Sequence, residues 1–440
     1  MGTSSPELLL TLDRSRRRGL RVQLEDELRA AIRSGRLGPG APVPSSRALS
    51  ADLQITRKVV VEAYDQLVAE GYLVARRGAR TTVPGTLPPP APAPPVTGPA
   101  PAVEIDFRPG RPDLALFPRA AWSRATLAAL RALPDADLTD DDPRGLPILR
   151  RALAEYLGRV RGVTADPERI VVCAGFGHGF DLAREALLDR GCGRFAVEDP
   201  GYPGPRRRLV AGFDPVPFDP VPFDPVPVDA EGLVVDRLRG TAARAVVVTP
   251  AHQSPTGVVL SPGRRHQLVE WARAVDGFVI EDDFDAEYRY DRRPVGALQG
   301  IAPDRVVYCG TTAKTLASGV RLGWLVLPDV LVEPVLARRR VTDGATSTLL
   351  QASFAAFLAA HDLDRHLRRV RRVYRQRRDA VVAALREWLP EVTLHGVAAG
   401  LNVLVTFPPW VEESALVRRA LAAGVRVQSA GRVSGPAGAR

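Results

Sequence analysis

Six short runs of consecutive apolar positions punctuate the middle of this chain. They are Ile170-Val-Val-Cys173, Arg194-Phe-Ala-Val197, Ala245-Val-Val-Val248, Phe278-Val-Ile280, Arg305-Val-Val-Tyr308 and Leu322-Gly-Trp-Leu-Val326. A strand apolar on both faces is buried on both, so these runs predict an α/β domain with a mostly parallel central sheet. Helical spacing fills the intervals, including a helix over Phe180 to Leu188. Ligands of such sheets sit beyond the carboxyl ends of the strands. Upstream the pattern is different. Val22 to Ile32 reads as an amphipathic helix ending at Ser34-Gly35, and Pro44 to Leu53 as a short helix with Ser45 as its cap. Thr56 caps a longer helix over Arg57 to Glu70, which Gly71 ends. Tyr72 to Ala75 and Thr81 to Val83 flank Arg76-Arg-Gly-Ala-Arg80 as a small β-hairpin. Three helices and a hairpin with a basic tip predict a winged helix-turn-helix.

Between these regions, residues 84–101 hold nine prolines in 18 positions, a composition that excludes helix and central strand and predicts a semi-rigid linker. The chain therefore reads as a small domain over 1–83, a linker over 84–104 and a large domain over 105–440. The large part runs to about 330 and a smaller C-terminal part follows. After Gly424-Val-Arg-Val-Gln-Ser429 no further apolar strand or closing helix is legible, so that smaller part is expected to be cut short. Phe213-Asp-Pro-Val-Pro occurs three times in tandem, from Phe213, Phe218 and Phe223, and reads as duplicated surface loop.

Composition narrows the classes. No apolar run approaches the ~20 residues needed to cross a bilayer, and the N-terminus has no secretory pattern. Three cysteines, Cys173, Cys192 and Cys309, cannot all pair and show no metal-ligand spacing, which fits a reducing cytoplasm. The net charge is +10, and residues 1–83 carry 14 basic against 9 acidic side chains. That asymmetry points to a polyanion, double-stranded DNA, as partner of the first domain, although a basic solvated surface gives the same count.

The chemistry lies in lysine. Of 60 basic residues only Lys58 and Lys314 are lysine. An arginine stays protonated at neutral pH, whereas a lysine can capture an aldehyde. Lys314 follows the Val306-Val-Tyr308 run in a hydroxyl-rich loop, with Thr311 before it and Arg321 after it. An amine, hydroxyls and a guanidinium are what pyridoxal 5'-phosphate requires. Three more motifs follow strands. Glu281-Asp-Asp283 offers a carboxylate for a pyridine nitrogen. Tyr202, in Glu198-Asp-Pro-Gly-Tyr-Pro203, offers a ring to stack. The Phe176 and Gly177 backbone, at the start of a helix, offers N–H groups to a phosphate. Taken singly, the acidic run reads equally as a solvated loop, Tyr202 as packing and the glycines as a turn.

The string from Ile32-Arg-Ser-Gly through Pro44-Ser-Ser-Arg47 and Thr56-Arg-Lys58 to Ala69-Glu-Gly-Tyr-Leu73 resembles the DNA-binding domain of GntR-type regulators. That resemblance implies contacts from Ser46, Arg47, Thr56, Arg57 and Lys58, with the wing residues Arg76 and Arg77 in the minor groove; a protein-binding winged helix remains the alternative. Gly110-Arg-Pro-Asp113, Asp142-Pro-Arg-Gly145, Glu198-Asp-Pro-Gly-Tyr-Pro203, Glu281-Asp-Asp-Phe-Asp285 and Arg321-Leu-Gly-Trp324 resemble fold type I aminotransferases. With the first domain, the whole is similar to MocR-like regulators. By that resemblance Lys314 bonds the cofactor and Asp282 faces its pyridine nitrogen. Tyr202 stacks, and Thr311, Arg321 and the Phe176-Gly177 backbone hold the phosphate. The family's pattern is broken at Phe284, where a tyrosine hydroxyl is usual, at Gly177, usually glutamine, at Ala313, usually serine, and at Ser254, usually aromatic. Arg426 and Arg432 are candidates for an effector's carboxylate. The implied function is a cytoplasmic, homodimeric transcription regulator sensing an amine or amino acid, with the aminotransferase-like domain as sensor. The rival is an active aminotransferase carrying an accessory domain.

Overall fold

A computed structural model describes residues 10, 12–13, 19–76, 80–85, 103–139, 142–211, 220–290 and 295–430. Arg77, Arg432, most of the proline-rich stretch and the repeat from Phe213 to Asp219 lie outside them. The chain divides into two compact units, Met1–Pro101 and Ala102–Arg440.

In the first unit, α1 (Leu20–Arg33) buries Leu24, Leu28, Ala31 and Ile32 along one stripe. Gly35, at φ +78°, turns the chain out of it. α2 (Ser46–Asp52) is capped as its sequence predicts, the Ser45 hydroxyl accepting the Ala48 N–H at 3.2 Å. A turn through Gln54 (φ +50°) leads into α3 (Arg57–Ala69), which buries Val60, Ala63, Tyr64 and Leu67. Leu37, Val43, Leu49, Leu73 and Val83 complete this core. The hairpin is narrower than expected. Among the described residues Val74 and Thr82 exchange both N–H···O bonds, at 2.8 and 3.0 Å, and residues 41–43 bond the far edge through Val43 and Val83. Tyr72 instead lies beside the Arg29 and Arg33 guanidiniums, 5.7 and 5.4 Å from its ring centre.

The second unit opens with β1 (Ile105–Asp106), α4 (Arg119–Ala132) and α5 (Pro147–Arg161). Strands and helices then alternate: β2 (Ile170–Cys173), α6 (Phe176–Asp189), β3 (Phe195–Asp199), α7 (Pro203–Ala211), β4 (Phe223–Asp229), β5 (Gly232–Leu233), α8 (Val235–Arg239), β6 (Ala245–Val248), α9 (Pro262–Ala274), β7 (Phe278–Asp283), β8 (Val306–Thr311) and β9 (Gly323–Val326). All six apolar runs are strands of one eight-stranded sheet, ordered β2-β9-β8-β7-β6-β3-β4-β5. The sheet is parallel except for β9, which runs against both neighbours, and the short β5. Side chains alternate between its faces. Val247, Ile280, Val307 and Leu325 pack with Phe180 and Leu187 of α6, while Val246, Val279 and Val306 pack with Leu268 and Trp271 of α9.

The third copy of the repeat is not the surface loop expected of it: Phe223 to Pro227 lie in β4, in parallel register with β3 from Phe195↔Phe223 to Asp199↔Pro227. Prolines lack the N–H of a ladder, but β4 is paired on its other side only at Val228 and Asp229, so Pro225 and Pro227 have an unpaired side to present.

Beyond the sheet come α10 (Asp329–Thr342), α11 (Thr348–Ala359) and the 27-residue α12 (Asp362–Trp388). The antiparallel pair β10 (Thr393–His395) and β11 (Leu404–Thr406), α13 (Glu413–Ala422) and β12 (Val425–Arg426) follow. β12 pairs in parallel with β1, so Arg426 sits opposite Asp106. No described helix is long and apolar enough to cross a membrane.

One buried ion pair fastens α5 to the middle of the sheet. The Arg161 guanidinium donates to both oxygens of Asp283, at 2.7 and 3.0 Å, and to the Val295 carbonyl, while the Tyr308 hydroxyl also donates to Asp283. Truncating one partner strands the other charge in a dry interior. Arg161→Ala should therefore destabilise the second unit by ~3–5 kcal/mol, read as a lowered thermal transition, while α1 to α3 keep theirs.

Candidate cofactor and DNA-binding sites

The residues expected to hold a cofactor gather at the carboxyl ends of β2, β3, β7 and β8, where a parallel sheet leaves a crevice. Lys314 lies three residues beyond β8, half-buried, and its Nζ donates to the Gly110 carbonyl at 2.6 Å. Burial lowers its pKa and favours the neutral, nucleophilic amine, while Asp282 and Asp285 pull the other way. Gly110 has φ +68°, and a Cβ there would sit 2.9 Å from Nζ, so only glycine admits the amine so closely. The loop is held from below: the Tyr288 hydroxyl donates to the Lys314 carbonyl at 3.0 Å, and the His366 ring bonds the Thr315 carbonyl at 2.8 Å.

Asp282 is on β7 with 4% of its surface exposed, and its Oδ1 is buried without a partner. Burial raises its pKa well above the carboxylate range, and only the nearby Lys314 charge opposes this. An orphaned buried carboxyl oxygen facing a crevice is what a protonated pyridine nitrogen would satisfy. The acidic run is therefore no solvated loop, since Glu281, Asp282 and Asp283 are all buried.

At the other end, α6 begins at Phe176, four residues earlier than its apolar pattern suggests. The N–H groups of Phe176 and Gly177 thus lie in its first turn, which contains no acidic residue. Gly175 has φ +95°, and a Cβ there would be 3.9 Å from both Arg321 Nη1 and Thr311 Oγ1, so hydroxyl, guanidinium and helix start converge. Tyr202 is 47% exposed and meets Phe176 edge-on, ring centres 6.1 Å apart. The structure thus brings Lys314, Asp282, Tyr202, Phe176, Gly177, Thr311 and Arg321 to one crevice.

Several contributors were not singled out as site residues. Gly110 opens a motif that carries the resemblance but no role, and Tyr288 and His366 have no local signal of theirs. Glu198, Gln253, His252 and Asp285 lie in motifs that follow strands. The Glu198 carboxylate accepts from the Thr249 hydroxyl at 2.7 Å and from Gln253 at 3.2 Å, joining two crevice loops. His252 Nδ1 bonds Asp285 at 3.0 Å, and its ring lies 6.2 Å from that of Phe284, which brings no hydroxyl.

In the first unit, Arg47, Thr56, Arg57 and Lys58 are exposed at the start of α2 and α3. Ser46 is half-buried and its hydroxyl accepts Arg57 Nε at 3.1 Å, so it orients that guanidinium. Lys58 is 3.8 Å from Glu62, and Arg76 is exposed.

Burial pushes the Glu198 carboxyl from an ordinary 4.5 up to about 7, against the bonds from Thr249 and Gln253. A folded carboxyl that keeps its proton longer than the unfolded chain favours folding at low pH, and that contribution is lost as pH rises through about 7. Glu281 and Glu287, also pushed up to about 7 by burial, act in the same sense. The cofactor-free second unit should be less stable at pH 8 than at pH 5. Glu198→Gln should remove part of that loss, up to ~3 kcal/mol, measured by denaturation across this range.

Comparison with known proteins follows the same division. Residues 20–83 match the family described as bacterial regulatory proteins, gntR family, and residues 131–439 match aminotransferase class I and II. The HTH-type pyridoxine biosynthesis transcriptional regulator PdxR of Corynebacterium glutamicum is 34% identical over 388 residues, 87% of this chain and 82% of that protein. The probable rhizopine catabolism regulatory protein MocR of Rhizobium meliloti is 33% identical over 443 residues, 95% of this chain and 87% of that one. Among solved structures, the kynurenine aminotransferase of Pyrococcus horikoshii, in complex with PMP, superposes with a TM-score of 0.65 at 25% identity, covering 75% of this chain and 82% of its own.

Proposed function

The chain belongs to the class I and II aminotransferase family, joined as in the MocR and PdxR relatives to a gntR-family DNA-binding domain, and we propose that it is a pyridoxal 5'-phosphate-dependent transcription regulator sensing an amine or amino acid. Likeness to HTH-type regulators along both units carries this reading. Lys314 and Asp282 supply the chemistry. DNA binding follows from the first unit. A homodimer in the cytoplasm, with double-stranded operator DNA as partner, fits both.

When bound, pyridoxal phosphate supplies an aldehyde that primary amines capture and a ring that draws electron density away from them. Lys314 is the amine that holds it in the absence of effector. Asp282 would present its unpartnered oxygen to the ring nitrogen and favour a proton there. Thr311, Arg321 and the Phe176 and Gly177 N–H groups would hold the phosphate, and Tyr202 would cover one face of the ring. Where an effector amine takes the aldehyde in place of Lys314, the Gly110 carbonyl, 2.6 Å from Nζ, would hold the freed amine. Phe284 donates no hydrogen bond in the crevice, which favours sensing over fast turnover. The altered contacts around Lys314 then bias how two DNA-binding units hold an operator. Arg47 and Arg57 read bases, and Thr56, Lys58, Arg76 and Arg77 meet the backbone and minor groove.

Two experiments test this. The protein with added pyridoxal phosphate should absorb visible light, and borohydride should fix the label to Lys314; Lys314→Ala should abolish both, and a label on Lys58 would overturn the assignment. Amino acids should then shift the spectrum and change DNA affinity. Sustained amino-group transfer to a 2-oxo acid with no effect on DNA would make the protein an aminotransferase.

On DNA, Arg47→Ala or Arg57→Ala should weaken binding to the upstream region of its own gene by roughly 1–3 kcal/mol and relax sequence preference. Arg76→Ala should weaken all sequences alike and reduce the salt slope by about one. Unchanged affinity in all three variants, measured by fluorescence anisotropy across salt concentrations, would remove the DNA-reading role of these residues.

A further inference from the structure

We propose that Arg208 is a direct ligand of the cofactor's phosphate, and that Gly177 lacks a side chain because the Arg208 guanidinium fills its place. The inference rests on the cofactor reading above and adds a residue to it. α7 carries three consecutive arginines, which are turned to different tasks. Arg206 donates to Asp199 and to the Glu198 carbonyl and so braces its own loop. Arg208 reaches across to α6. A Cβ built on Gly177 would lie 2.4 Å from Arg208 Nη2, 2.7 Å from its Cζ and 3.0 Å from its Nε, so the whole guanidinium lies over the first turn of that helix. Nη1 of the same group is paired with Asp181, one turn further on.

Electrostatics gives this placement its meaning. The start of a helix carries partial positive charge, so cations there are disfavoured unless an anion joins them. Here two guanidiniums flank one helix start: Arg208 over Gly177, and Arg321 beside Gly175. No acidic residue occupies the first turn. His178, in the same turn, is held below the usual imidazole value by burial, with Arg339, Arg321 and Arg208 adding to it against Asp343. Asp181 is a weak counter-charge for so much positive potential. Its own carboxyl is pushed up to about 6 by burial, and it also lies 3.5 Å from Arg184. A dianionic phosphate between Arg208, Arg321, Thr311 and the first-turn N–H groups would balance the site. A longer side chain at position 177 would expel the guanidinium.

The test compares two ligands that differ only in the phosphate. The cofactor-free protein and its variants are titrated with pyridoxal phosphate and with pyridoxal, following visible absorbance and borohydride fixation at Lys314. Arg208→Ala should weaken pyridoxal phosphate by ~10–100-fold, as for loss of one charge-assisted hydrogen bond, and leave pyridoxal unchanged. Arg208→Lys should restore part of the difference. Unchanged affinity for pyridoxal phosphate, or an equal loss for both ligands, would overturn the assignment. Should Arg208→Ala fail to fold, Gly177→Ala serves instead, because its methyl group displaces the guanidinium: a loss confined to pyridoxal phosphate supports the proposal, and no selective loss refutes it. If the unaltered protein fixes neither ligand at Lys314, the cofactor reading itself falls. If it fixes both and only the variants' selectivity is missing, Arg208 alone is wrong.

Discussion

Three consecutive carboxylates, Glu281, Asp282 and Asp283, are buried in the middle of the central sheet, and much of the second unit is arranged around that cost. Successive side chains of a strand point to opposite faces, so Glu281 and Asp283 share one face and Asp282 takes the other. On the shared face every charge is answered. Glu281 accepts the Leu298 and Gln299 N–H groups at 2.8 and 2.9 Å, and Asp283 receives Arg161 and Tyr308. On the crevice face the Asp282 Oδ1 has no partner, and the nearest opposing charge is that of Lys314. The strand thus satisfies two of its acids and leaves the third with an unmet hydrogen-bonding requirement.

The opposite end of the crevice stores the complementary requirement. There the positive end of α6 collects guanidiniums and hydroxyls instead of carboxylates. An acidic pole at β7 and a cationic pole at α6 would suit a ligand with a basic ring atom at one end and an anion at the other. The lysine between them has an amine whose burial favours its neutral form.

The first unit solves a simpler problem. Its apolar stripe closes on itself through α1, α3 and the residues around Val43 and Val83, leaving the start of α3 free to present cations. The Ser46–Arg57 bond pre-orders one of those cations, which lowers the side-chain freedom it has left to lose on binding a partner.

The sequence by itself determined the elements whose signals are local. Consecutive apolar positions marked the six sheet strands, because burial on both faces leaves no room for alternation. Ser45, Gly35 and Gly71 marked helix ends, because caps and left-handed turns act within a few residues. Lys314 stood out by the scarcity of lysine. The other crevice residues, Asp282, Tyr202, Phe176, Gly177, Thr311 and Arg321, were named from motifs and resemblance, and they converge. The tertiary structure decided what depends on which strand lies beside which. It turned the third Phe-Asp-Pro-Val-Pro copy into β4, because β3 supplied a free edge that no local pattern announces. It set the Gly110 carbonyl against an amine 204 residues away, and Tyr288 and His366 under the same loop. It also laid Arg208 into the space of a missing side chain at Gly177. Such contacts follow from sheet order and helix packing. The periodicity of either partner's own segment carries no record of them.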